Sequence, residues 1–190
     1  RAGALPAPLT VLEERSIGPG LGADSIAAGQ IAAIVGIILV IFYIVLSYGI
    51  YGAMASAGLL VNLMLILGAL SLIQATLTLP GIAGIVLTMG MAVDSNVLIF
   101  ERIREELRRG RGVRDAIKAG YSRAISTIMD ANLTTLIASI LLYIFGSGPV
   151  RGFSVTLGIG IITSLFTAIL FTRFLIVLWI NAKKPKTLVI

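Results

Sequence analysis

Two aspartates lie inside otherwise apolar stretches of the sequence and are its clearest candidates for chemistry. Asp94 lies in a run of 19 residues, 82–100, that carries no other charged side chain. Asp130 lies in a second apolar stretch, 124–145. An ionised group at the centre of a membrane-spanning helix costs about 2.5–3.5 kcal/mol on insertion scales. Such residues therefore mark ion or substrate paths, or else they are protonated groups that hydrogen-bond to a neighbouring helix.

Proton carriage is the chemistry that these carboxyl groups suit best. Removal from water disfavours the ionised form of a carboxyl group, which allows it to take up and release a proton near physiological pH. The sequence contains no histidine or cysteine, so a proton path would use carboxylates, hydroxyls or water. Asp94 precedes Glu101 by seven positions, and Asp130 follows Arg123 by seven. Both carboxylates are thus expected about 10 Å along a helix from the same charged stretch, which runs from Glu101 to Arg123.

Polar side chains surround Asp130 at helical spacing. One helix face has spacings of four, three and four and consists of Arg123, Thr127, Asp130 and Thr134. A second polar strip consists of Asn132, Thr135 and Ser139. So many polar groups predict that this stretch faces the bundle interior or a wet cavity rather than lipid.

Composition places the chain among integral membrane proteins. Hydrophobic residues make up 57% and charged residues 13%, and the mean hydropathy is +1.02. The net charge of +6 does not indicate nucleic-acid binding, because the basic residues cluster as they do in cytosolic loops of membrane proteins. The predicted fold is an all-α polytopic helix bundle. No cofactor or metal is expected.

The organisation predicted from apolar runs has five membrane-spanning segments. They cover 26–48, 53–73, 82–100, 124–145 and 153–180. Residues 101–123 would form a cytoplasmic loop and 181–190 a cytoplasmic tail. Residues 1–25, with a short strand at 9–12, read as the end of an outer region and a linker, so the chain reads as a fragment.

Orientation follows from the placement of basic residues, since cytoplasmic loops are rich in lysine and arginine. Eight of them lie in the loop 101–123, and Lys183, Lys184 and Lys186 follow the last segment. This puts the loop and the C-terminus in the cytoplasm and the N-terminal end outside. The charged run is either a solvated face with Glu101–Arg104 and Glu105–Arg109 pairs or a docking surface.

Three single positions and one run of small residues carry further structural expectations. Gly90 is expected to admit a neighbouring helix, and Asn62 to form an interhelical hydrogen bond. Arg173 is expected to extend towards the cytoplasmic face rather than to act as a counter-ion. Close helix packing is predicted for the last segment from the small residues Thr156, Gly160, Thr163 and Thr167.

Long strings of the sequence resemble the membrane region of a protein-export family, SecD/SecF. They are GMAVDSNVLIFERIREELRRG, DANLTTLIASILLYIFGSGPVRGF and GIGIITSLFTAILFTR, preceded by RAGALPAPLTVLEERSIGPGLGADSI. The resemblance covers essentially the whole chain. It implies an RND-type half of six transmembrane helices, of which the second to the sixth are present here.

The resemblance also implies function, partners and sites. A member of this family would use the proton motive force with SecF to promote preprotein translocation across the bacterial inner membrane after SecYEG, with YajC and YidC as further partners. Asp94 occupies the family's proton-coupling motif. Asp130, Asn132, Thr134 and Thr135 match its polar fifth-helix motif, with Thr127 as a further supporting polar residue.

Other classes of function stay open at this point. No G-x-x-x-x-G-K-[ST] loop is present in the sequence, so an ATPase of its own is not expected. An RND-type exporter of a small molecule or lipid could use the same half-bundle. An intramembrane aspartyl protease could use Asp94 and Asp130 as a dyad sharing a proton. A purely structural helper would keep both aspartates neutral.

Overall fold

The computed structural model describes residues 19–183, all of them in or between helices. The elements are α1 Pro19–Leu72, α2 Leu79–Arg108, α3 Val113–Phe145, α4 Pro149–Phe166, a π-helix Thr167–Phe171, and α5 Thr172–Lys183. No strand occurs among these residues, and the all-α helix bundle is confirmed. The strand predicted at 9–12 and the tail 184–190 lie outside the described residues.

Within residues 19–183, four helical stretches are long and apolar enough to cross a membrane, and the first of them is folded back on itself. α1 is interrupted at Gly49, whose backbone angles of φ 55° and ψ −123° are not helical. In a straight helix Ile44 and Gly52 would be about 12 Å apart. Here a Cβ atom on Gly52 would overlap the backbone carbonyl of Ile44, and only a glycine fits. The first arm of this hairpin, 19–48, contains the first predicted segment, and the second arm, 50–72, contains all but the last residue of the second.

The hairpin is closed by side chains from its two arms. Ile37 and Val40 of the first arm pack with Leu59 of the second in one apolar cluster, and the three line one cavity. The predicted turn near Gly49 is thus present as a reversal of the chain. That five separate segments cross the membrane stays a prediction.

α2 is the central helix of the bundle. More than half of its most apolar part is buried, against less than a fifth for α1 and for α3. Thr78 caps its N-terminus by accepting a hydrogen bond from the Gly81 backbone N–H, and Pro80 occupies the first turn, where proline suits a helix start. The predicted helix start at Leu79-Pro80-Gly81 is therefore confirmed.

Small residues let α2 and α4 pack closely. A Cβ atom on Gly160 would lie 2.5 Å from Thr88, and one on Gly84 would lie 2.5 Å from Thr156 Oγ1. This confirms close packing of the last segment through small residues. The expectation for Gly90 was wrong, because a Cβ atom there would meet nothing within 4 Å. The glycine on α2 that admits a neighbour is Gly84, one turn and a half earlier in the helix.

The last segment differs from a regular helix. The π-helix Thr167–Phe171 separates α4 from α5, and Thr172 directly after it is fully buried with no hydrogen-bond partner for its hydroxyl. The second arm of α1 approaches this point, since a Cβ atom on Gly58 would lie 2.6 Å from Thr172 Oγ1. The prediction for Asn62 was also wrong: it is fully buried, but neither its oxygen nor its nitrogen has a hydrogen-bond partner.

Candidate functional site

Asp94 lines an open groove between α2 and α3. The cavity volume is about 190 Å³. From α2 it is lined by Met91, Asp94, Ser95 and Leu98, and from α3 by Thr127, Ile128, Ala131, Asn132 and Thr135. Asp94 is exposed to this groove, and no residue of 19–183 forms a hydrogen bond or an ion pair with its side chain. The groove therefore holds a carboxylate that is accessible and unpaired within this chain.

The α2 wall of the groove is one helix face. Its residues follow one another at intervals of three, one and three positions, which places them on adjacent rows of a helix. The Ser95 hydroxyl donates to the Met91 carbonyl at 3.0 Å and keeps its oxygen as an acceptor beside Asp94. Sequence reasoning missed Met91, Ser95 and Leu98. The signal was present, because their spacing about Asp94 is that of a single helix face.

The α3 wall supplies polar atoms but no charge. Thr135 donates to the Ala131 carbonyl at 3.1 Å, and Asn132 Nδ2 donates to the Ile128 carbonyl at 2.8 Å. A threonine hydroxyl that donates to the backbone still accepts through its oxygen. A protonated Asp94 therefore has acceptors across the groove, whereas an ionised Asp94 finds no lysine or arginine among the lining residues.

Asp130 and Thr134 lie outside the groove. Both are exposed, and the Thr134 hydroxyl donates to the Asp130 backbone carbonyl at 2.9 Å. Successive residues turn by about 100° around a helix, so Asp130 is rotated past Thr127 on the side away from α2. Of the predicted site residues, the structure thus brings Asp94, Thr127, Asn132 and Thr135 together. It leaves the second carboxylate on another surface, which does not fit a shared-proton dyad.

A second carboxylate of α2 lies in a very different environment. Glu106 is fully buried, and three arginines surround it. Arg109 donates a hydrogen bond to Oε1 at 3.0 Å, Arg123 Nη1 lies 2.9 Å from the same oxygen, and Arg111 Nε lies 2.8 Å from Oε2 without hydrogen-bond alignment. Because Arg123 belongs to α3, this cluster fixes α3 against α2 one helical turn from Thr127.

The sequence contained a signal for this cluster that was not used. Ile99 and Ile103 are fully buried on α2, and Glu106 continues their spacing of four and three on the same face. A carboxylate on a buried face requires counter-charges, and arginines follow in the next turn. The expectation of a solvated face or a docking surface for the charged run does not include this buried side, which forms because α2 continues to Arg108 and α3 starts at Val113.

The surface ion pairs predicted for this region are present. Glu101 pairs with Arg104 and Glu105 with Arg109, both at 2.7 Å. Glu105 also accepts a hydrogen bond from Arg102 at 2.9 Å. This hydrogen bond, followed by the charge of Arg109, holds the pKa of the Glu105 carboxyl below its usual value.

A tether further along α3 joins it to α4. The Ser139 hydroxyl, which is buried, donates to the Ser154 backbone carbonyl at 2.8 Å. Nearer the start of α3, Arg123 contacts Glu106 of α2. The groove lies between these two fixed points, so its α3 wall is held in position from both ends.

The chain is similar to protein-export membrane proteins in sequence. Residues 6–182 match the family described as "Protein export membrane protein SecD/SecF, C-terminal". Over 188 residues the chain is 59% identical to the protein translocase subunit SecD of Rickettsia conorii and 56% identical to that of Magnetococcus marinus. Each alignment covers 99% of this chain and 36% of the relative, so the chain spans about a third of these proteins' length.

Solved structures agree with this likeness. A crystal structure of SecDF from Thermus thermophilus, described as a translocon-associated membrane protein, superposes with a TM-score of 0.87 at 48% identity. That match covers 90% of this chain and 24% of the other. SecDF in a super-membrane-facing form gives a TM-score of 0.83 at 50% identity, covering 95% and 25%.

Proposed function

Because the chain belongs to the SecD/SecF protein-export family, we propose that it is the membrane part of a Sec translocation subunit driven by the proton motive force. In this role it acts with SecF after SecYEG to promote preprotein movement across the bacterial inner membrane, with YajC and YidC as further partners. Its C-terminus is cytoplasmic and its N-terminal end periplasmic. The chain itself uses no ATP and no cofactor.

The observation that carries the proposal is the isolated Asp94 carboxylate in the groove between α2 and α3. It is accessible, and no cation of residues 19–183 pairs with it, so nothing in this chain fixes it as a permanent anion. Hydroxyl and carbonyl oxygens across the groove can accept from its protonated form. The residue is therefore suited to alternate between a charged and a neutral state.

The energy that one charge gains by crossing the membrane potential is comparable to the cost of an ionised aspartate inside the membrane. Moving one charge across about 100 mV supplies about 2.3 kcal/mol. An ionised aspartate at mid-membrane costs about 2.5–3.5 kcal/mol. Protonation of Asp94 can therefore shift which packing of α2 and α3 is favoured, and α2 is the helix through which such a shift would reach the rest of the bundle.

Asp130 is assigned a second place in proton coupling, outside the groove. Its carboxylate is exposed on α3 and makes no hydrogen bond or ion pair among residues 19–183. A partner chain against this face would bring it into a proton path. Thr134, Thr127, Asn132 and Thr135 support the two carboxylates as polar neighbours.

The test replaces Asp94 with asparagine in the full-length protein. Asparagine preserves size and polarity but cannot exchange a proton, so translocation that depends on the proton gradient should fall by at least about tenfold, a barrier change of about 1.4 kcal/mol. Export is measured in membrane vesicles with and without an imposed gradient. Asp115→Asn, at an exposed position in the first turn of α3, is the matched control.

Three results would decide between the alternatives. Gradient-stimulated export that is undiminished in Asp94→Asn would reject the proposal. A loss in Asp94→Asn but not in Asp130→Asn would confine coupling to the groove. Normal protein export together with loss of dye or lipid transport would instead favour a small-molecule or lipid exporter.

A further inference from the structure

A second groove, between α3 and α5, is lined by cations. Its cavity volume is about 270 Å³, larger than that of the Asp94 groove. The polar lining consists of Arg114, Lys118, Arg173 and Asn181. The apolar lining consists of Ile117, Val177 and Ile180. No acidic residue lines it, so the groove is suited to an anion.

The three cations of this groove have no carboxylate partner among residues 19–183. Arg114 Nη2 lies 3.5 Å from Asn181 Oδ1, at the limit of a hydrogen bond. Arg173 lies over the Tyr121 ring with 5.3 Å between its guanidinium carbon and the ring centroid. Asp115 is adjacent to Arg114 in sequence, but it does not line the groove and pairs with none of the three cations.

The environment of these three cations differs from that of five other arginines at the same end of the bundle. Arg102, Arg104, Arg109, Arg111 and Arg123 each lie within 3.0 Å of a glutamate oxygen. Glutamates of α2 therefore balance the positive charge around its C-terminal end, except at Arg108, whereas no acidic residue lines the groove between α3 and α5. Three like charges that converge without an acid repel one another unless an anion binds between them.

The surroundings of the groove indicate which anion binds. Val177 lines the groove and is 41% exposed, and its neighbours Phe174 and Leu178 are 58% and 50% exposed. The cationic groove thus continues into an uncovered apolar surface of α5. A ligand that matches both parts has an anionic head and apolar chains.

We propose that this groove binds the phosphate headgroup of an anionic phospholipid. Arg114 and Lys118 would contact the phosphate from the first turns of α3, and Arg173 would contact it from α5. The acyl chains would lie along the exposed apolar side chains of α5. The site lies at the end of the bundle that carries the basic stretch, where the basic residues predict the cytoplasmic leaflet. This site is independent of Asp94 and of proton coupling.

The test measures lipid retention by the full-length protein with native mass spectrometry. The probes are phosphatidylglycerol, which is anionic, and phosphatidylcholine, which is zwitterionic. Each lysine or arginine near an anionic lipid contributes about 1 kcal/mol, which corresponds to about a fivefold change in affinity. Lys118→Gln should therefore retain phosphatidylglycerol about fivefold more weakly than the wild type does.

Matched variants separate the groove from bulk charge. Arg108→Gln removes one exposed cation from the same end of the bundle but outside the groove, and it should retain phosphatidylglycerol as the wild type does. Lys118→Arg keeps the charge and should also retain it. The combined variant Arg114→Gln, Lys118→Gln and Arg173→Gln should hold phosphatidylglycerol no better than phosphatidylcholine.

Several outcomes would overturn the proposal. Equal retention of the two lipids by the wild type would do so, as would equal losses in Lys118→Gln and Arg108→Gln. Displacement of the lipid by millimolar inorganic phosphate would indicate a site for a free anion. Crosslinking of position 118 to an acidic protein segment instead of lipid would assign the groove to a protein partner. Asp94 is intact in every variant. The outcome of this lipid test therefore does not depend on whether the proton-coupling proposal is correct.

Discussion

Two carboxylates on α2, twelve residues apart, differ in burial and in charge pairing. Glu106 is fully buried and has three arginines within 3.0 Å. Asp94 faces an open groove and has no charged partner in residues 19–183. A paired carboxylate holds helices together, because releasing it would leave charges uncompensated. An unpaired carboxylate is free to change its charge. The contrast supports a structural role for Glu106 at one end of α2 and the proton exchange that we propose for Asp94 in its middle.

Removing the charge of Glu106 tests the structural side of this contrast and should have the largest effect on stability. Glu106→Gln leaves three arginines without their carboxylate. Breaking a buried pair costs about 3–5 kcal/mol, and the lower end applies because the arginines are about half exposed. Thermal unfolding of the purified full-length protein measures this. Asp94→Asn is the control and should unfold close to the wild type; a similar loss in both variants would remove the distinction.

Placing a cation beside Asp94 should convert the groove into a paired site. Ala131 lines the groove on α3 and is exposed, so a lysine there can reach the carboxylate. Ala131→Lys should therefore lower gradient-driven export by at least about tenfold, as expected for Asp94→Asn. Ala131→Met adds a side chain of similar length without charge and should retain activity. Equal losses in the two variants would indicate blockage of the groove instead of pairing.

The smallest expected effect concerns the exposed pairs next to Glu106. Since the Glu105 pKa is lowered in the folded protein, the folded state binds fewer protons than the unfolded state, and stability falls as pH decreases. The stabilisation is present above the unfolded pKa of about 4.3 and is lost as pH falls through the folded value. Melting temperatures from about pH 6 to about pH 3 should decrease more for the wild type than for Glu105→Gln. Parallel curves of melting temperature against pH would show that the ion pairs of Glu105 contribute nothing to stability.

Sequence reasoning identified the features that depend on local pattern. Apolar length predicted long membrane-compatible helices, Leu79-Pro80-Gly81 predicted the start of α2, and small-residue spacing predicted the close packing of α4. It named Asp94, Thr127, Asn132 and Thr135 as site residues, but it put Thr127 on the face of Asp130 and did not predict that these four line one groove. It did not separate Asp130 from Asp94, since that depends on the rotation of α3 about its own axis, which neighbouring helices set.

The errors have a common physical origin. Gly90 and Asn62 were assigned neighbours from residue type alone, although the helix that approaches each position is determined by tertiary packing. The charged run that contains Glu106 was expected to be a solvated face or a docking surface, because runs of charged residues are usually solvated. The burial of Glu106 depends on α3 starting at Val113 and bringing Arg123 back to α2. Contacts between distant segments decided all three cases.

The π-helix Thr167–Phe171 has a consequence for the face that α5 presents. The buried positions in this part of the chain are Ser164, Thr167, Ala168, Thr172, Ile176 and Ile180. The step from 168 to 172 crosses one wide turn, so the residues after it are rotated relative to a regular continuation of α4. Arg173 and Val177 owe their outward direction to that rotation. Deleting a single residue from 168–171 would turn Arg173 and Asn181, the polar residues that α5 contributes to the cationic groove, away from α3 without changing either amino acid.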